Sequence, residues 1–301
     1  MGDAELARRE AAASARHLAA RECSPQIATF HGHRKAKRAL PKGQDTPSMY
    51  DTPNQYPIDL NNHTCVVAPE VMEGPYYINN EMVRYDLIED QAGVPLTLDI
   101  GVVDVNGCKP LENVFVELWQ ANATGIYGSY PTTLPPPDQM IGPLVRNETF
   151  LRGGLPTNSE GLVELRTIYP GFYESRCIHI HAMFHIGYET SPNGTLVSHS
   201  GTLVHTAQFF FDDSFSDKVL ALEPYSLNEQ NRTLNEDDFI LQELGTDGNS
   251  AFLDLELLGE SVADGVLGYI TVVVDSSASY EIENPNYLNS TGPDAENFVA
   301  V

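Results

Sequence analysis

Two histidines two residues apart, His179 and His181, are the side chains of this 301-residue chain best placed to do chemistry. They lie in CIHIHAMFHI (177–186), a run of apolar and β-branched residues. Such a run reads as a strand, and i and i+2 side chains on a strand leave the same face, ~7 Å apart. A Pro-Gly turn (Pro170, Gly171) delivers Tyr173 just upstream, and Arg176 precedes His179 by three residues. Imidazole and phenol donors on one sheet face point to a metal, and two histidines by themselves leave zinc, copper and iron open. Tyr127, in the GIYG segment after Trp119, and Gln208, on a later apolar run, are further groups the site could recruit.

The elements that must position these groups are mostly strands. PLTLDIGVVDV (95–105) alternates apolar and polar residues, as a half-buried strand does, and Asn106-Gly107 turns it. ENVFVELWQA (112–121), GLVELRTIY (161–169), CIHIHAMFHI, TLVHTAQFFF (202–211) and GYITVVVD (268–275) read as further strands, with a hairpin tip at SPNG (191–194). Short strands separated by turns argue for a mainly β chain built on a β-sandwich core. Residues 131–160 read as a long active-site loop rich in Pro, Gly and Asn, and residues 212–260 as acidic and more helical. Residues 3–22 have the composition of a helix. Ser24-Pro25 is expected to break it before the basic, helix-prone segment FHGHRKAKRAL. The proline-rich stretch 41–64 reads as an extended connector. The expected organisation is therefore a helical arm and connector over 1–64, a β-sandwich over 65–283, and a polar, mobile tail over 284–301.

Charge narrows the partners. The net charge is −25, yet residues 1–43 carry +5, so the remainder carries about −30. An acidic body repels phosphate backbones, which argues against nucleic-acid binding. No apolar run reaches the ~18–20 residues that span a bilayer. The opposite charges of arm and body favour docking, either within one chain or between two copies in a homodimer. Six N-x-S/T sequons, four cysteines and few lysines favour a secreted glycoprotein whose signal peptide has been removed. The cysteines allow three pairings, and none lies in a C-x-x-C arrangement.

WQANATGIYG, FLRGG, TIYPGFYESRCIHIH and HTAQFFF, with EGPYY at 73–77, occur in an order that resembles the intradiol ring-cleavage dioxygenases. The similarity covers roughly residues 65–211 and is nearest to the secreted fungal type related to protocatechuate and catechol dioxygenases. It implies a non-haem Fe(III) held by Tyr127, Tyr173, His179 and His181, with Tyr127 and His179 equatorial and Tyr173 and His181 axial. Hard phenolate donors suit a ferric ion. The reaction implied is insertion of both atoms of O2 into a catechol, cleaving between the hydroxylated carbons to a cis,cis-muconate. Tyr173 takes a substrate proton and detaches from the metal, Arg176 and Gln208 stabilise the partly anionic ring, and Tyr76 lines the ring pocket. Secreted relatives also imply that Cys65 pairs with Cys108, which leaves Cys23 for Cys177.

Blander readings stand beside these. A single tyrosine on a turn is more often a packing residue. His185 shares parity with His179 and His181 but has no counterpart in the family pattern, so it reads as a satisfied strand histidine. His199 and His205 read as surface or loop residues, and His63 as exposed. His31 and His33 sit among cations that repel a metal. Asn122 lies too near the site to carry sugar, which leaves Asn62, Asn147, Asn193, Asn231 and Asn289 as glycosylation candidates. The competing functions are a related specificity such as hydroxyquinol cleavage, an iron-free binding module, and a zinc hydrolase using His179, His181 and His185. A carboxylated catechol would need a cation near the ring, and only Arg152 and Arg146 are candidates. Neutral catechols or hydroxyquinols are therefore expected.

Overall fold

The computed structural model describes residues 22–38, 71–131, 144–244 and 251–288. Two sheets face each other across one core. The first holds β1 (Pro95–Asp104), β2 (Lys109–Pro110), β5 (Leu162–Ile168), β10 (Asp254–Leu257) and β11 (Val266–Val274). In it β1 runs parallel to β11, and its other edge is shared by β5 and β2. The second sheet is antiparallel, in the order β4 (Arg152–Pro156), β3 (Phe115–Trp119), β6 (His179–Ile186), β9 (Thr202–Phe210). A small hairpin, β7 (Glu189–Thr190) with β8 (Leu196–Val197), flanks SPNG as expected. Strand β4 falls inside the segment expected to be loop. Its RGGLP sequence carries no alternation, and pairing with β3 makes it a strand.

Parity decides what each face does. Leu96, Leu98, Ile100 and Val102 of β1 meet Val116 and Leu118 of β3 and Ile180 and Phe184 of β6 between the sheets. The opposite face of β1 is not solvated, although the alternation predicts it. The helix α1 (Ser24–Arg38) lies over it, with Pro25 in its first turn, where the missing N–H costs nothing. Ile27 and Cys23 pack on Val103 and Val273. Arg34 is buried there, with Nε donating to Asp99 Oδ1 at 3.1 Å and Nη1 to Thr271 Oγ1 at 2.8 Å. The polar residues of β1 thus serve a docked helix instead of water.

That docking overturns both expected disulfides. Cys108 pairs with Cys23, not with Cys65, because α1 delivers Cys23 to the turn after β1. Cys177 is a free, buried thiol. It sits at the start of β6 in the other sheet, among Val71, Phe210 and Leu241. A disulfide needs Cα atoms within about 7 Å, and the sandwich separates Cys177 from Cys23 by its whole thickness.

The acidic stretch 212–260 forms α2 (Asp213–Leu220) and the short α3 (Phe239–Leu244) with 3-10 turns between them, but it also holds β10, which the helical expectation missed and which pairing with β11 makes a strand. The tail from Asn284 is tied down at its start. Asn79 donates to the carbonyls of Asn284 and Asn286, the Asn284 N–H donates to Glu73, and Leu288 is buried. His205 is likewise buried, its ring 5.6 Å from Phe184 between the sheets, and is no surface residue. The helix expected at 3–22, apart from Glu22, the connector 41–64, His63, Cys65, Asn62 and Asn289 lie outside the described residues.

Candidate metal centre

The outer face of the second sheet carries the chemistry. Its register sets Trp119, His181 and Gln208 side by side on β3, β6 and β9. The Trp119 ring stacks on His181, with centroids 4.9 Å apart and planes 9° from parallel. Gly74 closes on the His181 imidazole from the EGPYY segment: at its φ of +74°, a Cβ would lie 2.9 Å from Cε1. His179 is oriented differently. Its Nδ1 lies 2.7 Å from the Cys177 carbonyl, so that nitrogen carries the proton and Nε2 keeps a free lone pair. This Nε2 lies 3.1 Å from His181 Nε2 and 3.2 Å from the Tyr173 hydroxyl.

The two tyrosines reach the histidines from separate segments that hold each other. Asn122 organises the loop after β3, its Oδ1 accepting from the N–H groups of Thr124 and Ile126 and its Nδ2 donating to Gln91. Its carbonyl accepts from the N–H of Gly171 in the Pro-Gly turn. A Cβ on Gly171 would lie 2.3 Å from the Ala123 carbonyl oxygen, so only glycine allows this approach. The Tyr127 ring thereby comes 5.6 Å from Tyr173 and 6.2 Å from His181, centroid to centroid. Tyr76 stacks on Tyr127 at 4.3 Å and meets Tyr173 edge-on at 5.9 Å.

Tyr127, Tyr173, His179 and His181 therefore converge as the spacing and resemblance imply. The Tyr127 hydroxyl and His181 Nδ1 are buried with no hydrogen-bond partner. Burial holds both imidazoles well below the ordinary histidine range, and the Arg176 charge adds to this in each case. They are neutral ligands ready for a cation. Burial pushes the Tyr127 phenol up, with Tyr173 adding to it, and burial also raises Tyr173 against the pull of Arg176. A phenolate here therefore requires a cation beside it. Among the described residues no three His, Cys, Asp or Glu side chains gather to hold a metal. A metal at this place must take tyrosine donors, and a donor set of two phenols and two imidazoles fits a ferric ion.

Arg176 and Gln208 border the cluster and touch each other, Nη2 to Oε1 at 2.5 Å. Gln208 Nε2 is buried without a partner. Asp238, which the sequence did not single out, accepts from Arg176 Nε and from the Cys177 N–H, each at 2.8 Å. No local pattern in NEDDF distinguishes it from its acidic neighbours. The sequence also missed the partners of two other buried groups. Arg152 is fully buried, with Nη1 on Glu81 at 3.3 Å and its guanidinium 6.0 Å from the Tyr127 ring centre. His185 pairs with Glu117, Nε2 to Oε2 at 2.8 Å, beyond a register shift between Phe184 and His185. The three-histidine zinc arrangement is not formed. His31 approaches Thr271 and Asp254, and His33 is exposed, so the other H-x-H makes no metal pair. Asn147, Asn193 and Asn231 are exposed.

A family model described as "Dioxygenase" matches residues 72–189. Catechol 1,2-dioxygenase 1 of Acinetobacter lwoffii is 29% identical over 111 residues, covering 35% of this chain and 32% of that protein. Catechol 1,2-dioxygenase of Acinetobacter baylyi is 32% identical over 112 residues, with the same coverage. The matched stretch thus spans about a third of these curated relatives. A solved intradiol ring-cleavage dioxygenase from Tetranychus urticae superposes with a TM-score of 0.61 at 28% identity, covering 72% of this chain and 98% of that one.

Proposed function

We propose that this chain is an intradiol ring-cleavage dioxygenase, a ferric enzyme that opens a catechol between its two hydroxylated carbons. The observation that carries this reading is the buried meeting of Tyr127, Tyr173, His179 and His181, in which the Tyr127 hydroxyl lacks any hydrogen-bond partner and the two histidine Nε2 atoms face each other. A ferric ion bound by these four would supply the Lewis acidity that lets a chelated catechol react with O2.

The chain's own residues do the rest. Tyr173 can hold a proton leaving the substrate, because burial raises its phenol and so favours the protonated form. The face of Tyr76 forms an apolar wall for the ring and keeps bulk water from it. Arg176 keeps its charge at any working pH and sits where negative charge on a substrate oxygen needs support. Gln208 Nε2, on the amide whose Oε1 accepts from Arg176, is a buried donor with no partner. These donors need no reorganisation, since Asp238 and the β6–β9 register already fix them.

Exposed sequons at Asn147, Asn193 and Asn231 and the Cys23–Cys108 bridge support a secreted, glycosylated protein. Protein reconstituted aerobically with iron is expected to be red-brown from phenolate-to-iron charge transfer, with the band shifting on addition of catechol. Tyr173→Phe should slow turnover and alter the colour. Protein that stays colourless and iron-free after reconstitution would leave the binding-module reading in possession of the fold.

A further inference from the structure

Every arginine in the described β body already has a carboxylate. Arg84 pairs with Glu89, Arg146 with Glu148, Arg152 with Glu81, Arg166 with Asp86, Arg176 with Asp238 and Arg232 with Asp213. The pairing matters most at Arg176, the cation that borders the four donors. Its Nε lies 2.8 Å from Asp238 Oδ2, and the Asp238 side chain is completely buried. The carboxylate has no freedom to leave. The same Oδ2 accepts from the Cys177 N–H, Oδ1 accepts from Leu241 N–H at 3.0 Å, and the Phe239 ring covers the guanidinium 5.8 Å away. Arg152 and Arg146, the other two candidates for reading a substrate carboxylate, are committed as well. Arg152 is sealed with Glu81, and Arg146 is spent on Glu148 and on the Tyr130 carbonyl.

We propose that Asp238 is a specificity-determining residue: its buried carboxylate neutralises Arg176 and restricts the site to catechols that carry no carboxylate. The inference rests on the catechol reading above and deepens it. Arg176 can still hydrogen-bond a substrate oxygen, because the guanidinium fork has five donors and Asp238 and Gln208 engage two of its nitrogens. A carboxylated ring would instead bring a second anion to a cation already paired with one. It would meet the Asp238 charge across a site with little water to screen it. The discrimination is thus built from a repulsive element, contributed by a segment far from the metal-bearing strand in sequence.

The test compares catechol with 3,4-dihydroxybenzoate on the iron-loaded full chain, by calorimetric binding and by kcat/KM. Wild type should favour catechol by about tenfold or more, the size expected for one uncompensated charge in a partly buried site. Asp238→Asn should shift that ratio toward the carboxylated ring by about tenfold. Asp238→Glu, which restores the charge, should return it toward wild type. A purely structural role for Asp238 would weaken both ligands alike and leave the ratio unmoved, which overturns the assignment. Wild type that prefers 3,4-dihydroxybenzoate also overturns it, and this arm stands even where the asparagine variant does not fold. Wild type that binds neither ring defeats the proposed function itself, whereas an unchanged ratio with normal catechol binding defeats only the role of Asp238.

Discussion

Replacing Gly74 with alanine tests the link between the EGPYY segment and the metal-bearing strand. Two costs arise from the backbone and the neighbour. At a φ of +74° an alanine sits in the left-handed region, which costs about 1–2 kcal/mol relative to glycine. The new methyl would also stand 2.9 Å from His181 Cε1, several tenths of an ångström inside ordinary contact. His181 cannot swing away, because Trp119 stacks on its ring 4.9 Å distant and β6 lies between two hydrogen-bonded strands. The imidazole must therefore shift relative to His179 Nε2, now 3.1 Å from it. Urea unfolding of the metal-free variant should show a loss of about 2–5 kcal/mol, the strain plus the packing overlap. Ferric titration followed by the charge-transfer band should show affinity about 10–100-fold lower, the usual result of disturbing a ligand's support. A variant within about 0.5 kcal/mol of wild type that binds iron with unchanged affinity would show that Gly74 does not set the His181 position.

Arg34→Ala should cost about 3–5 kcal/mol in urea unfolding, because it leaves Asp99 buried without its cation; a loss under about 1 kcal/mol would mean that α1 is not docked on β1. Non-reducing peptide mapping should recover Cys23 linked to Cys108, with Cys177 reacting with thiol reagents after unfolding only. His185→Ala should lower stability by about 1–3 kcal/mol by leaving the buried Glu117 with the Tyr77 hydroxyl in place of two partners, while leaving ferric binding intact. Loss of iron in that variant would make His185 a ligand. Burial pushes the Asp238 carboxyl up, but Arg176 and the Leu241 and Cys177 N–H groups outweigh it and hold it below the usual carboxylate range. Its stabilising effect is therefore complete above the unfolded value of about 3.9 and is lost as pH falls through the lower folded value. Acid unfolding curves of wild type should thus fall more steeply below pH ~4 than those of Asp238→Asn; identical acid limbs would contradict the shift.

The sequence by itself determined what depends on local periodicity. Alternating and apolar runs placed β1, β3, β5, β6, β9 and β11, though not β4 or β10, and i, i+2 parity put His179 and His181 on one face, because a pleated backbone alternates whatever surrounds it. The glycine and proline pattern marked the turn that brings Tyr173 in, and the motif order tied Tyr127, Arg176 and Gln208 to the same site. Tertiary structure decided everything that depends on which distant segments touch. Cys108 has the same local sequence whether Cys65 or Cys23 faces it, and the docking of α1 selects Cys23. The second face of β1 reads as solvated until that helix covers it. His205 looks like a surface histidine until the Phe184 ring meets it between the sheets. Asp238 is one acid among several in its stretch, and only the approach of α3 to the start of β6 makes it the partner of Arg176. Covalent neighbours set which way a side chain points, whereas burial and charge pairing are set by neighbours in space, which strand periodicity leaves open.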